Sequence, residues 1–251
     1  MNLHVKKIGE GFPVFLLHGL FGLGDNLLSL AKKLSSDFTV YMIDQRNHGQ
    51  SFHSSEMNYD LMAEDVFRIF QSENISSAHM IGHSMGGKTA MMFTALYSAY
   101  IEKLCVVDIA PKVYAPHHNQ LIRAMKSVPF HQLKSRNEVD AYLEKEIPEV
   151  GVRQFLLKNL KRTGSGYTWK MNLDGITKNY SSIAGFPHIM PVTTETCFIA
   201  GGNSSYITED DEADIYALFP NSEIEYIDGA GHWVHAEKPI EFEKKVRSFL
   251  T

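Results

Sequence analysis

The sequence predicts an α/β fold in which a mostly parallel, doubly wound sheet is interrupted by a helical insertion. Short, continuous apolar runs alternate with amphipathic helical segments through the first 111 residues, as expected for strands buried on both faces. From residue 112 to 187 helical spacing replaces this pattern, and strands resume near residue 196. We therefore expect a core of residues 1–111 and 188–251, with residues 112–187 forming a helical cap over it.

The core elements follow in the order that a parallel sheet requires. Residues 2–8 are a candidate edge strand, and Asp25 is the expected N-cap of the first helix, which ends at Leu34. The buried strands are expected at 13–17, 38–43, 78–81, 103–111, 196–200 and 224–227. Further core helices are expected at about 62–70, 85–97, 208–218 and 242–250. In the insertion, three helices are predicted, the third running from Val152 to Leu160, with one weak strand at 167–171.

The composition argues against several classes of partner. The net charge is −5 and the sequence has no basic run, which argues against nucleic acid. No apolar stretch reaches the length of a membrane span, and the N-terminus lacks a signal-peptide core, so we expect no membrane insertion and a cytoplasmic protein. The cysteines Cys105 and Cys197 lie in apolar runs without a C-x-x-C motif, which indicates buried thiols and no metal site. The oligomeric state is not predicted.

Two motifs overlap at residues 82–89. Gly82 to Gly86 match G-x-S-x-G, which presents a nucleophilic serine between a strand and a helix. Gly82 to Thr89 also match the phosphate loop of nucleotide-binding proteins, with Lys88 in place. The second interpretation is weaker, because residues 83–85 would crowd the backbone around a phosphate and a whole βαβ unit comes first. It also leaves His18-Gly19 and Gly231-His232 unexplained.

The nucleophile interpretation uses these remaining residues. A serine hydroxyl needs a base within hydrogen-bond reach, and His232 stands in a glycine-rich turn after a strand, as such a base would. The oxyanion of a tetrahedral intermediate needs backbone donors. In this architecture the first is the N–H of Met85, which follows Ser84. The second is expected from the loop after the first buried strand, at Leu20.

Six motifs in order then give a family resemblance. They are His18–Gly22, Asp44–Ser51, Gly82–Lys88, Val107–Pro111, Gly201–Ser204 and Gly231–Pro239. With them the chain resembles the α/β-hydrolase superfamily over its full length and, more narrowly, the YbfF-type bacterial esterases. The resemblance implies an α/β-hydrolase fold with a helical cap and a serine hydrolase that uses no cofactor. It also implies carboxylic esters or acyl thioesters, including acyl-CoA, as substrates.

The third member of the catalytic triad has two candidates. The superfamily usually places its acid after the strand at 196–200, but that loop has no carboxylate until residues 209–211. Those residues have another explanation, since Thr208 would cap the next helix and acidic residues suit a first turn. Asp108 ends the strand next to that of the nucleophile, and the YbfF resemblance implies this position. We predict Asp108, with residues 209–211 as the alternative.

The cap and the reacting residues together predict an apolar substrate pocket. Phe21 and Trp233 flank the reacting groups in sequence, and Phe155 and Tyr167 are candidates from the cap, although they would equally suit the cap's own core. A small to medium apolar acyl group is expected. The alternatives are a non-catalytic small-ligand receptor on the same fold, a carbon–carbon bond hydrolase and a perhydrolase. Dehalogenase or epoxide hydrolase chemistry would need an aspartate where Ser84 stands.

Overall fold

The structure is a computed structural model that describes residues 2–164 and 166–251. Its strands are β1 (His4–Ile8), β2 (Phe12–Leu17), β3 (Phe38–Asp44), β4 (Ala78–His83), β5 (Ile101–Val107), β6 (Leu160–Thr163), β7 (Gly166–Trp169), β8 (Glu195–Gly201) and β9 (Ser222–Ile227). Its α-helices are α1 (Leu28–Leu34), α2 (Tyr59–Ser72), α3 (Met85–Leu96), α4 (Asn119–Lys126), α5 (Arg136–Glu144), α6 (Val150–Leu157), α7 (Leu173–Lys178), α8 (Tyr180–Ala184), α9 (Glu209–Leu218), α10 (Val234–Glu237) and α11 (Pro239–Leu250). Short 3-10 helices cover Gly24–Leu27 and Ser98–Tyr100.

Within the described residues, seven strands form the main sheet in the order β1-β3-β2-β4-β5-β8-β9. The edge strand β1 is antiparallel to β3, and every other neighbouring pair is parallel. The chain thus winds outward from β2 on both sides, which confirms the predicted doubly wound sheet. Strand β4 lies at the centre. Ligands bind such sheets beyond the carboxyl ends of the central strands.

The sheet is covered on both faces, which explains the continuous apolar runs. In β2, Phe15 and Leu17 belong to one core cluster, which includes α2, α3 and cap residues. Val14 and Leu16, which alternate with them, belong to a second cluster with α1 and α11. Because successive side chains point to opposite faces, a strand between two layers of helices needs apolar residues at every position.

We keep the name cap for residues 112–187, which contain α4–α8 and the antiparallel β6–β7 hairpin. The prediction that the third cap helix extends to Leu160 is wrong, because α6 ends at Leu157 and Leu160 begins β6. Between them Asn159 donates its side-chain amide to the Phe21 carbonyl at 2.6 Å, and its own carbonyl accepts from the Lys170 N–H at 2.7 Å. These long-range bonds end the helix, and helical spacing cannot report them.

The predicted N-cap at Asp25 is also wrong. Asp25 lies inside the 3-10 helix, where its carboxylate pairs with the Lys6 ammonium at 2.7 Å. The Leu23 N–H instead donates to the Asn26 side chain at 2.6 Å. A 3-10 turn therefore leads into α1. In the described parts of the chain, we find no helix that combines the length and the apolar character needed to cross a lipid bilayer.

Candidate active site

Strand β4 delivers Ser84 into a sharp turn before α3. The Ser84 backbone has φ 53° and ψ −120°, a strained conformation for a residue with a side chain. The turn is tight enough to exclude other residues at its glycines. A Cβ on Gly82 would lie 2.2 Å from the Gly86 carbonyl oxygen, and a Cβ on Gly86 would lie 2.3 Å from the Leu17 carbonyl oxygen. The G-x-S-x-G spacing thus places the serine at the carboxyl end of the central strand.

Asp108 directly follows β5, and His232 lies in the loop after β9. The His232 Nδ1 is 2.7 Å from the Asp108 Oδ2. The same carboxylate accepts from the Gly201 N–H at 2.9 Å and from the Ser204 hydroxyl at 2.5 Å, and Asp108 is fully buried. A carboxylate facing Nδ1 favours the tautomer that carries its proton there, so Nε2 of the neutral ring is free to accept a proton.

Residues 209–211, the alternative acid, have other partners. The Asp211 carboxylate lies 2.5 Å from the Lys112 ammonium. It also accepts from the Thr208 N–H and hydroxyl at 3.0 Å each. The bond from the Thr208 N–H is half of the capping box of α9, and the bond from the Asp211 N–H to the Thr208 side chain is the other half. Glu209 and Asp210 are exposed in the first turn of this helix. The structure therefore brings Asp108, and not this cluster, to His232.

Two further residues support the His232 ring, and the sequence analysis missed both. The Tyr206 ring stacks on it with centroids 3.8 Å apart and planes at 17°. The His83 Nε2 donates to the His232 carbonyl at 2.8 Å, which ties the histidine loop to the turn of Ser84. Ser84 and His232 line the same cavity. No local pattern marks Tyr206, whereas His83 is the variable residue before the nucleophile in G-x-S-x-G.

The two predicted oxyanion donors, the N–H groups of Leu20 and Met85, both border the cavity space at Ser84. Within residues 2–164 and 166–251, the backbone N–H groups of Leu20 and Met85 donate no hydrogen bond. Met85 is the first residue of α3, so its N–H lacks a helical acceptor and lies at the positive end of the helix dipole. Leu20 and Ser84 line the same two cavities. Met85 lines the second of these cavities as well, so both predicted donors border the space next to Ser84.

Two buried histidines hold the loop that contains Leu20. The His18 Nδ1 donates to the Gly19 carbonyl at 2.8 Å, and its Nε2 accepts from the Gln45 N–H at 3.0 Å. The His48 Nε2 accepts from the Phe21 N–H at 3.1 Å. Burial lowers the pKa of His18 to about 4 and the pKa of His48 to about 3. Both rings are therefore neutral near pH 7, as their acceptor roles require.

Two cavities meet at Ser84. The His232 cavity is lined by His18–Gly22, Asn26, Leu27, His83, Ser84, His118, Leu121, Phe155, Leu156, His232, Trp233 and His235. It contains three of the predicted substrate-binding residues, Phe21, Phe155 and Trp233, and the last two rings lie 5.8 Å apart. Tyr167 lies opposite Arg162 in the β6–β7 hairpin and lines neither cavity.

The second space, the Lys88 cavity, shares Leu20, Ser84 and His118 with the first. Its walls include Met85, Ile109 and Ile183, with Lys88 also lining it. The phosphate-loop interpretation of residues 82–89 is wrong, because the Lys88 ammonium is buried and donates to three backbone carbonyls. Residues 82–89 form the nucleophile turn and the start of a buried helix.

Known proteins match this chain along its whole length. The family model of the alpha/beta hydrolase fold matches residues 13–135. A putative esterase/lipase of Haemophilus influenzae is 42% identical over 99% of this chain and 87% of its own length. Esterase YbfF of Escherichia coli is 39% identical over 95% of this chain and 92% of its own length. A solved marine microorganism esterase has a TM-score of 0.96 and 44% identity, and the match covers 99% of both chains. The chain therefore belongs to the α/β-hydrolase superfamily and, within it, to the YbfF-type esterases, which are carboxylic-ester hydrolases.

Proposed function

We propose that the chain hydrolyses carboxylic esters through a Ser84–His232–Asp108 triad and an acyl-enzyme intermediate. The observation that carries the proposal is the 2.7 Å contact between the His232 Nδ1 and the buried Asp108 carboxylate. His232 also lines the same cavity as Ser84. A serine at a strained strand-to-helix turn, with a base and an orienting acid from two further strand ends, is the arrangement that acyl transfer needs.

The cycle has two halves. The Ser84 Oγ attacks the carbonyl carbon of the ester, and its proton passes to the His232 Nε2. The oxygen anion accepts hydrogen bonds from the N–H groups of Leu20 and Met85. Collapse breaks the bond between the carbonyl carbon and the leaving oxygen, which takes the proton from His232. Water then attacks the acyl group on Ser84 and gives its proton to His232, and the carboxylic acid leaves as Ser84 recovers its proton.

The two cavities suggest where each half of the substrate binds. His232 lines one cavity and not the other, and it must protonate the leaving group. We therefore assign the leaving alcohol or thiol to the His232 cavity and the acyl group to the Lys88 cavity. The apolar walls at Met85, Ile109 and Ile183 support small to medium apolar acyl groups.

Acyl thioesters, including acyl-CoA, are a second substrate class for the same mechanism. A groove lined by Gln154, Phe155, Lys158 and Trp233 adjoins the His232 cavity, because the two share Phe155 and Trp233. It offers a path outward for a leaving group too long for the cavity itself, and its lining includes both the cationic Lys158 and the anionic Glu237.

Labelling and a substrate screen test the proposal together. We expect a fluorophosphonate probe to label the wild-type chain, and the Ser84→Ala variant to lose both labelling and at least about 10³-fold in kcat. The screen uses p-nitrophenyl esters and acyl-CoAs of graded acyl length. Wild-type labelling with turnover of neither series would direct attention to carbon–carbon bond hydrolysis or perhydrolysis. Absent labelling with nanomolar ligand binding would refute the enzyme and favour a receptor.

A further inference from the structure

Lys88 occupies an electrostatically unfavourable position that the proposed mechanism does not use. It is 1% exposed and is the fourth residue of α3, in the first turn. A buried cation costs free energy, and the positive end of the helix dipole adds to that cost. Such a residue needs strong compensating contacts, and the groups that make these contacts indicate which segments Lys88 fixes in place.

The compensating contacts come from the two ends of the cap. The Lys88 Nζ donates to the carbonyl of Lys112 at 2.7 Å, where the cap begins. It also donates to the carbonyls of Ala184 at 3.1 Å and Gly185 at 2.7 Å, where the cap ends. The Tyr114 ring centroid lies 4.7 Å from the same nitrogen, within reach of a cation–π contact.

The number of acceptors matches the ammonium form. An ammonium carries three N–H donors, whereas a neutral amine carries two donors and a lone pair that would face the third carbonyl. Burial lowers the pKa of Lys88 to about 7, and the three carbonyls oppose that shift because they stabilise the charged form. Segments far apart in sequence thus converge on a single charged group.

We propose that Lys88 is a positioning residue whose ammonium ties both ends of the cap to the nucleophile helix and so fixes the far wall of the acyl cavity. The inference rests on the proposed function, since it takes the Lys88 cavity as the acyl site. Tyr114 and Ala184, from the two tied segments, line that cavity together with Lys88. Losing the tie therefore moves one wall of the cavity while leaving Ser84, His232 and Asp108 in place.

Acyl length should separate this role from a general effect on folding. Ser84 directly precedes α3 and Lys88 is its fourth residue, so the two lie roughly 6 Å apart along the helix axis at 1.5 Å per residue. We therefore expect an acetyl group bound to Ser84 to end before the wall that Lys88 holds. A hexanoyl chain, with five carbon–carbon bonds of about 1.5 Å, extends beyond that distance. The tie therefore affects the longer acyl group and spares the shorter one.

The kinetic test compares p-nitrophenyl acetate with p-nitrophenyl hexanoate. The variants are Lys88→Met, Lys88→Gln and Lys88→Arg. Methionine has neither the N–H donors nor the charge of lysine, glutamine has donors without charge, and arginine has both. The control is Lys103→Met. Lys103 lies on strand β5 and also donates to a backbone carbonyl, that of Phe249 at 2.8 Å, but within the described residues it makes no hydrogen bond to the cap. We expect Lys88→Met to raise KM for the hexanoate about 10-fold, while kcat/KM for the acetate stays within about 3-fold of the wild-type value. Arginine recovers most of the loss, glutamine less, and the control variant stays near wild type.

A second measurement does not depend on activity. Trypsin cleaves after Lys112, whose carbonyl is one of those that Lys88 holds, and the next residue, Val113, is 72% exposed. We expect Lys88→Met to speed cleavage at this bond about 10-fold or more, because the bond must leave its place before a protease can bind it. Lys103→Met should not change it.

The outcomes are distinct. Equal losses on both esters, or no change on either, would overturn the positioning role, as would an unchanged rate of cleavage at Lys112. If Lys88→Met does not fold, the order of Lys88→Gln and Lys88→Arg decides, and a glutamine variant equal to wild type in KM and cleavage overturns the proposal. A folded wild type that neither turns over esters nor reacts with fluorophosphonate would instead refute the proposed function, and with it the acyl assignment.

Discussion

The replacement of Asp108 by asparagine tests the proposed triad most directly. The carboxylate accepts three hydrogen bonds, from His232, Gly201 and Ser204. An asparagine has nearly the same shape but offers one oxygen and one NH₂ group. If the oxygen stays with the Gly201 N–H, the NH₂ faces the His232 Nδ1, which must then accept. The ring proton moves to Nε2, and His232 can no longer take the proton of Ser84.

The opposite orientation of the amide is costly as well. It keeps an acceptor for the His232 Nδ1 but turns the NH₂ towards the buried Gly201 N–H. Two donors then face each other, which costs about 1–3 kcal/mol of free energy. The imidazolium that forms during catalysis also loses a hydrogen bond to a charged partner, worth about 1.5–3 kcal/mol. At about 1.4 kcal/mol per tenfold, these effects lower kcat by roughly 10²–10⁴. The same change in serine triads lowers kcat by about 10⁴.

The assay is steady-state hydrolysis of a short p-nitrophenyl ester, with circular dichroism and thermal unfolding as checks on the fold. The matched control is Asp210→Asn, the same substitution at an exposed position in the first turn of α9. We expect the control to keep wild-type kcat. Near-wild-type turnover in Asp108→Asn, together with a large loss in Asp210→Asn or Asp211→Asn, would refute the assignment of the acid.

Three other predictions follow from packing and burial. Gly82→Ala should destabilise the fold by about 3 kcal/mol or more, since its Cβ would lie 2.2 Å from a carbonyl oxygen. Gly151→Ala, in α6 with no atom within 4 Å of the new Cβ, should stabilise it by up to about 1 kcal/mol, and equal changes in Tm would contradict the packing argument. His18 and His48 have folded pKa values of about 4 and about 3, below the ordinary 6.5, so their contribution to stability is complete above pH 6.5 and is lost as the pH falls towards 4. Each lowers stability by about 1.4 kcal/mol per pH unit in that window, and equal urea midpoints at pH 7 and pH 5.5 would argue against buried neutral rings. Phe155→Ala should raise KM for p-nitrophenyl esters about 3- to 10-fold with kcat little changed, whereas a fall in Tm without a change in KM would assign this ring to the cap's own core.

The fold class and the nucleophile turn could be predicted because their signals are local. Unbroken apolar strands report burial on both faces, and the spacing of Gly82, Ser84 and Gly86 reports a turn in which two positions have no room for a Cβ. His18 and His232 were notable for the same reason, since each stands in a glycine-rich turn at the end of a strand. Where long-range bonds compete with helical spacing, as at Leu160, the local prediction failed.

The partners of these residues were decided by the tertiary structure. The sequence predicts Asp108 with residues 209–211 as the alternative, and only the parallel strand order β5-β8-β9 places the loop after β5 close enough to the loop after β9 for Asp108 to contact His232. Tyr206 stacks on His232 through a contact that no spacing encodes. Lys88 is the sharpest case, because a local motif suggested a phosphate ligand while the fold surrounds it with carbonyls from both ends of the cap. Backbone geometry is encoded within a few residues, whereas the partner of a charged group depends on which distant segments the fold brings together.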